Sequence, residues 1–110
     1  MEIRKVNMDS GRVTIGSSFG VEFPLDVAIL SWEKGKVRVA PYRKGDDLDS
    51  RAIFKRFMSK GQLDIPRRLL QKAGIGAHAM VTVEDGDVVF YSMRALLEEE
   101  EKAKSADENE

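Results

Sequence analysis

The chain has no cysteine among its 110 residues, which removes disulfides, thiolate nucleophiles and cysteine-based zinc sites together. Its single histidine, His78, falls at the start of a predicted strand with no nucleophile or metal partner near it, and reads as a surface or structural residue. No apolar run approaches the roughly 20 residues of a membrane-spanning helix. The first residues, "MEIRKVNMDSG", lack the apolar stretch of a secretory signal. There is no glycine-rich phosphate loop and no Ser/His/Asp set, so catalysis has no candidate residues. Asp46, Asp47 and Asp49 lack the loop spacing and closing glutamate of an EF-hand and read as a solvated linker. These absences point to a cytoplasmic protein that is not an enzyme, spans no membrane and uses no metal or cofactor.

What is present is a charged, moderately apolar chain. Apolar residues make up 42% and charged residues 34% of it, within the range of small globular domains. At this length one core is the natural organisation, because smaller units bury too little surface to stand alone. The net charge of −1 hides an asymmetry. Residues 98–110 hold seven Asp/Glu against two Lys, whereas residues 1–97 hold 16 Lys/Arg against 12 Asp/Glu. A mildly basic body with an acidic tail permits a nucleic-acid partner. The tail reads as disordered and offers itself to a basic protein partner.

The chain also repeats itself. "MDSGRVTIG" aligns with "MSKGQLDIP" at a spacing of 50, and "SWEKGKVRVAPY" aligns with "TVEDGDVVFYSM" at a spacing of 51. Two copies of one supersecondary unit explain both alignments. In each, alternating residues predict short strands, with Val13, Ile15, Leu63 and Ile65 inward and Arg12, Thr14, Gln62 and Asp64 outward. Asp64 thus places a negative charge on the outward face unless a neighbouring arginine pairs with it. Each unit closes with a hairpin, at Lys34-Gly35 and Asp85-Gly86, of which Asp-Gly is the stronger signal because a two-residue type I′ turn needs positive φ at both positions. Trp32, Tyr42, Phe90 and Tyr91 fall in these hairpin strands and read as packing residues.

Between strands and hairpin the units differ. Pro66 opens a helix over "RRLLQKA" that Gly74 stops. The matching stretch of the first unit, "GSSFGVEFPL", carries two glycines and Pro24, which predict a turn or loop instead. A short helix is predicted to begin at Met93 and run to about Lys104. Arg67 and Arg68 put positive charge at the helix end that favours anions, an arrangement suited to a negatively charged partner.

The order of a strand, "GQLDIP" or "GRVTIG", a basic helix ending in "GI", and a hairpin with a glycine turn resembles the AbrB/SpoVT-like family of swapped-hairpin barrels, and the two-copy layout is similar to MraZ-type proteins. The resemblance implies a mostly β fold: a small closed β-barrel of two interleaved ββ(α)β repeats with a degenerate first helix. Double-psi or RIFT-like threading remains the alternative, since it uses the same strand pattern. The barrel would occupy residues 1–97, with repeat one at 1–42, a joint at 43–50 and repeat two at 51–92. A chain of this kind would be a monomeric pseudo-dimer or a homo-oligomer. Family members are mostly DNA-binding transcription regulators. Carried over by position, the DNA contacts would be Arg4, Lys5 and Arg12 in the first unit and Lys55, Arg56, Lys60, Arg67, Arg68 and Lys72 in the second. Arg and Lys neutralise phosphates and release counterions, and Arg can also read a guanine edge. Related barrels occur as adaptor or antitoxin-like modules, which makes a protein-interaction module the second expectation.

Overall fold

The computed structural model describes residues 2–15, 19–43 and 53–97. The fold is mostly β. Strands β1 (Glu2–Lys5), β2 (Arg12–Thr14), β3 (Val27–Glu33) and β4 (Lys36–Pro41) come from the first unit. The second contributes β5 (Ile53–Arg56), β6 (Gln62–Asp64), helix α1 (Arg67–Ala73), β7 (His78–Glu84) and β8 (Asp87–Ser92). Six strands form one antiparallel sheet in the order β1-β7-β8-β4-β3-β5, and β2 and β6 form a separate two-stranded ribbon.

The pairing exchanges strands between units. β1 pairs with β7 of the second unit, and β5 pairs with β3 of the first. The registers match at the repeat spacing: Ile3 faces Met80, and 51 residues along the chain Phe54 faces Ile29. Backbone bonds outside the strands obey the same relation. Val6 N–H donates to Ala77 O at 2.8 Å, and Phe57 N–H donates to Asp26 O at 2.8 Å. Ile15 N–H reaches Gly61 O and Ile65 N–H reaches Gly11 O, both at 2.9 Å. An approximate twofold axis therefore passes between Val13 and Leu63, directly paired in the ribbon, and between Arg38 and Val89, directly paired where β4 meets β8.

Apolar alternation drives this arrangement. Val13, Ile15, Leu63 and Ile65 are all buried and join Ala28, Leu30, Val37, Val39, Val81 and Phe90 in one core, as their spacing predicts. Burying each such aliphatic side chain contributes about 1.5–3 kcal/mol. The landmark glycines lie where the ribbon crosses between units. Gly11 and Gly61 have φ of 74° and 68°, and each carbonyl accepts a bond from the opposite unit's isoleucine. The Asp85-Gly86 turn has positive φ at both positions, while at Lys34-Gly35 only the glycine does. The stronger turn signal accordingly adopts the I′ geometry.

Pro66 occupies the N-cap position of α1 with no side-chain cap bond, its carbonyl accepting Leu69 N–H, and Arg67 is the first helical residue. Gly74, at φ 75°, ends it; Ile75 N–H returns to Leu70 O and Gly74 N–H to Gln71 O, the paired bonds of a Schellman stop. Residues 19–26 of the first unit contain turns and bends but no helix. Residues 93–97 are helical, and Ser92 Oγ caps them by accepting Ala95 N–H at 3.2 Å. The predicted extension toward Lys104, the acidic tail and the Asp46, Asp47 and Asp49 run lie outside the described residues.

One expectation is corrected. The closed barrel is not found: among the described residues β1 and β5 are the two edges of an open sheet, each with one neighbour. The β2–β6 ribbon carries its own pairing rather than joining that sheet, so hydrogen bonding does not run around a complete circuit. Trp32 is a cross-strand residue, opposite Val37, rather than a buried one. It stands 42% exposed at the end of β3, beyond the buried stretch, with Lys72 Nζ 5.2 Å from its ring centroid.

Candidate nucleic-acid interface

The ribbon and the two loops that enter it gather several of the predicted site residues. Asn7 begins the first loop. Its Oδ1 accepts Asp9 N–H at 3.0 Å, a local turn that competes with strand continuation and delivers Gly11 to its crossing point. Arg12 and Asp64 are direct cross-strand partners. Arg12 Nε donates to Asp64 Oδ1 at 3.0 Å, and its Nη2 approaches Met58 Sδ at 3.6 Å. The hydrogen bond to Asp64, reinforced by that carboxylate's charge, raises the arginine above its usual range. The negative charge on the outward face therefore has an arginine partner. The pair remains open to solvent, with side-chain exposures of 45% and 37%.

Lys5, Asn7, Arg12 and Thr14 line one open depression beside the ribbon, together with Val6, Met8 and Ala77. Arg67 reaches the same loop from α1, with Nη1 donating to Asp9 O at 3.5 Å. Arg68 follows it on the exposed start of the helix. Lys60 lies in the turn that leads into β6, where φ is 62°, and its side chain is exposed. Among the described residues no carboxylate pairs with Lys5, Lys60, Arg67 or Arg68.

The other predicted residues are placed elsewhere. Arg4 is on the opposite face of β1 from Lys5, as strand alternation requires. It bonds Glu2 at 2.8 Å and lies 5.0 Å from the Phe19 ring centroid; its Nε is buried without a partner. Lys55 and Arg56 are on β5, the other edge of the sheet, where Arg56 is the exposed counterpart of Lys5 at the repeat spacing. Lys72 is engaged with Trp32. Of nine candidates, Lys5, Arg12 and Arg67 meet at the first loop, Lys60 lies in the loop that enters the ribbon from its other end, and Arg68 is exposed beside Arg67 on α1. Sequence reasoning passed over Asn7 and Thr14, although Asn7 signals a turn and Thr14 alternates with Val13.

The end of the molecule related by the approximate twofold axis differs in chemistry. There Val21, Phe23, Pro24, Phe57 and Met58 line a second depression with Glu22 and Asp26, and the Phe23 and Phe57 rings meet edge to face at 4.6 Å. The ribbon shows the same contrast, since Thr14 and Gln62 form a neutral pair opposite the ionic one. On the outer sheet face Arg38 Nη1 binds Asp87 Oδ2 at 3.1 Å and Glu84 O at 3.4 Å. The bond to Asp87 raises the Arg38 pKa, with Glu84 and Asp85 adding to it against the effect of burial.

Among the described residues there is no group of three or more His, Cys, Asp or Glu side chains that could hold a metal ion. No helix of these residues is long and apolar enough to cross a membrane. No family model, no curated protein and no solved structure matches the chain.

Proposed function

We propose that the chain is a DNA-binding transcription regulator of the AbrB/SpoVT-like, swapped-hairpin type, non-catalytic and cytoplasmic, with both units of the family's pseudo-dimer in one chain. The observation that carries this reading is the set of exposed cations without carboxylate partners, Lys5, Lys60, Arg67 and Arg68, around a ribbon that both units build. Four such groups beside Arg12 can follow a phosphate backbone, whose neutralisation supplies salt-sensitive affinity. The strand exchange between units supports the interleaved arrangement of two repeats that the resemblance implies. The surface is lopsided, because at the twofold-related end the exposed cations Arg56 and Lys60 accompany an apolar depression bordered by Glu22 and Asp26. Recognition of a single, non-palindromic site by one chain follows from that asymmetry.

The test is a mobility-shift assay at low salt over duplexes of varied sequence. Wild type should retard duplex DNA, and the double change Arg67→Ala with Arg68→Ala should remove most of the binding. Absence of a shift with every duplex would overturn the reading. A protein-interaction module is the second reading, favoured by the Phe23, Pro24 and Phe57 depression with its acidic border; the acidic residues 98–110 would serve the same role toward a basic partner.

A further inference from the structure

The Arg12–Asp64 pair has no counterpart at the twofold-related position. The axis through Val13 and Leu63 carries Arg12 onto Gln62 and Asp64 onto Thr14, so one half of the ribbon is ionic and the other neutral. Asp64 is not needed to satisfy a buried group, since both side chains of the pair are well exposed and an exposed ion pair contributes little to folding. Its effect falls instead on what Arg12 can offer a ligand. A phosphate binds arginine most tightly through two parallel N–H groups. In the free protein Nε is held by Asp64 and Nη2 faces Met58 Sδ, so the side of the guanidinium that includes Nε is occupied.

We propose that Asp64 restrains polyanion binding at this ribbon by occupying Arg12, so that a phosphate must displace the carboxylate to gain that contact. The inference rests on the nucleic-acid reading of the same face and assigns Asp64 within it. Asp64 is a positioning residue, because it acts through Arg12. It disfavours loose association with any phosphate backbone, and only a duplex held by Lys5, Arg67 and Arg68 at the same time would open the pair. A built-in competing carboxylate is one way to gain specificity against abundant non-target sites.

The experiment titrates a fluorescent duplex with full-length wild type, Asp64→Asn and Asp64→Thr at several salt concentrations. The Thr variant copies the residue found at Thr14 and suits a strand. Asp85→Asn, in the distant β7–β8 turn, removes the same charge elsewhere and serves as the control. Both Asp64 variants should bind about three- to tenfold more tightly at low salt, and the slope of log K against log salt should steepen by about 0.9, one added phosphate contact. A purely structural role for Asp64 would not steepen that slope. Wild-type binding with Asp64 variants no tighter than Asp85→Asn would overturn the inference while leaving the nucleic-acid reading intact. Failure of wild type to bind any duplex would overturn the nucleic-acid reading and the inference with it.

Discussion

Replacing Gly11 by alanine should be among the most damaging single changes in the chain. Two costs combine. The backbone has φ of 74°, and a side chain in this left-handed region costs about 1–2 kcal/mol. The added Cβ would also lie 3.0 Å from the Ile65 carbonyl carbon and closer still to its oxygen, so the strands must separate at the crossing. Separation strains the Ile65 N–H to Gly11 O bond, and loss of such a bond in a buried setting costs about 1–3 kcal/mol. The total is about 2–5 kcal/mol, a large part of the roughly 5–15 kcal/mol that holds a small domain together. Gly86→Ala supplies the comparison, because φ is 82° but a Cβ there meets nothing within 4 Å; it should cost about 1–2 kcal/mol. Urea denaturation followed by circular dichroism measures both, provided the slope with denaturant is unchanged. Equal destabilisation by the two variants would refute the close crossing of the units at Gly11.

Other consequences can be checked alongside. Ser92 is 2% exposed; its Oγ donates to Gly74 O at 2.9 Å while capping residues 93–97, so Ser92→Ala should lower stability by about 1–2 kcal/mol in the same denaturation assay. Arg38→Gln should cost about 1–2 kcal/mol by leaving Asp87 and Glu84 O underpaired. Because folding raises the Arg38 pKa above its already high ordinary value, its contribution is complete below the unfolded value and lost only as pH rises through the folded one. The loss in melting temperature from Arg38→Gln should therefore be the same at about pH 6 and pH 9. Arg67→Ala with Arg68→Ala should not destabilise the fold, since it removes positive charge from a helix N-terminus, where each such charge is unfavourable by about 0.3–1 kcal/mol; a lower melting temperature would show that these arginines serve packing rather than binding.

Local features of this fold were readable because local chemistry determines them. Val13, Ile15, Leu63 and Ile65 alternate with polar residues and are buried, and Asp85-Gly86 forms the turn its φ preferences favour. Gly74 stops α1 because only a residue tolerant of left-handed φ can close it. What was not readable depends on contacts between distant residues. Nothing in "IFKR" or "EIRK" says whether these strands close a circuit, and both are sheet edges. Trp32 keeps the parity of core residues Ala28 and Leu30 yet lies beyond the end of the core. For the site, composition identified basic residues but could not place Arg4 against Phe19 or Lys72 over Trp32. The Arg12–Asp64 pair depends on the β2–β6 register, which links residues 52 apart.

The most direct test of the central claim is an equilibrium titration of one short duplex at about 50 and 200 mM salt, using wild type and the Arg67, Arg68 double-alanine protein. If the ribbon, its loops and the helix start hold a phosphate backbone, about four contacts should give a slope near −3.6 in log K against log salt. The affinity should then fall by about two orders of magnitude between the two salts, and the variant's slope should be shallower by about 1.8. A slope near zero, or one that the double substitution leaves unchanged, would contradict the account.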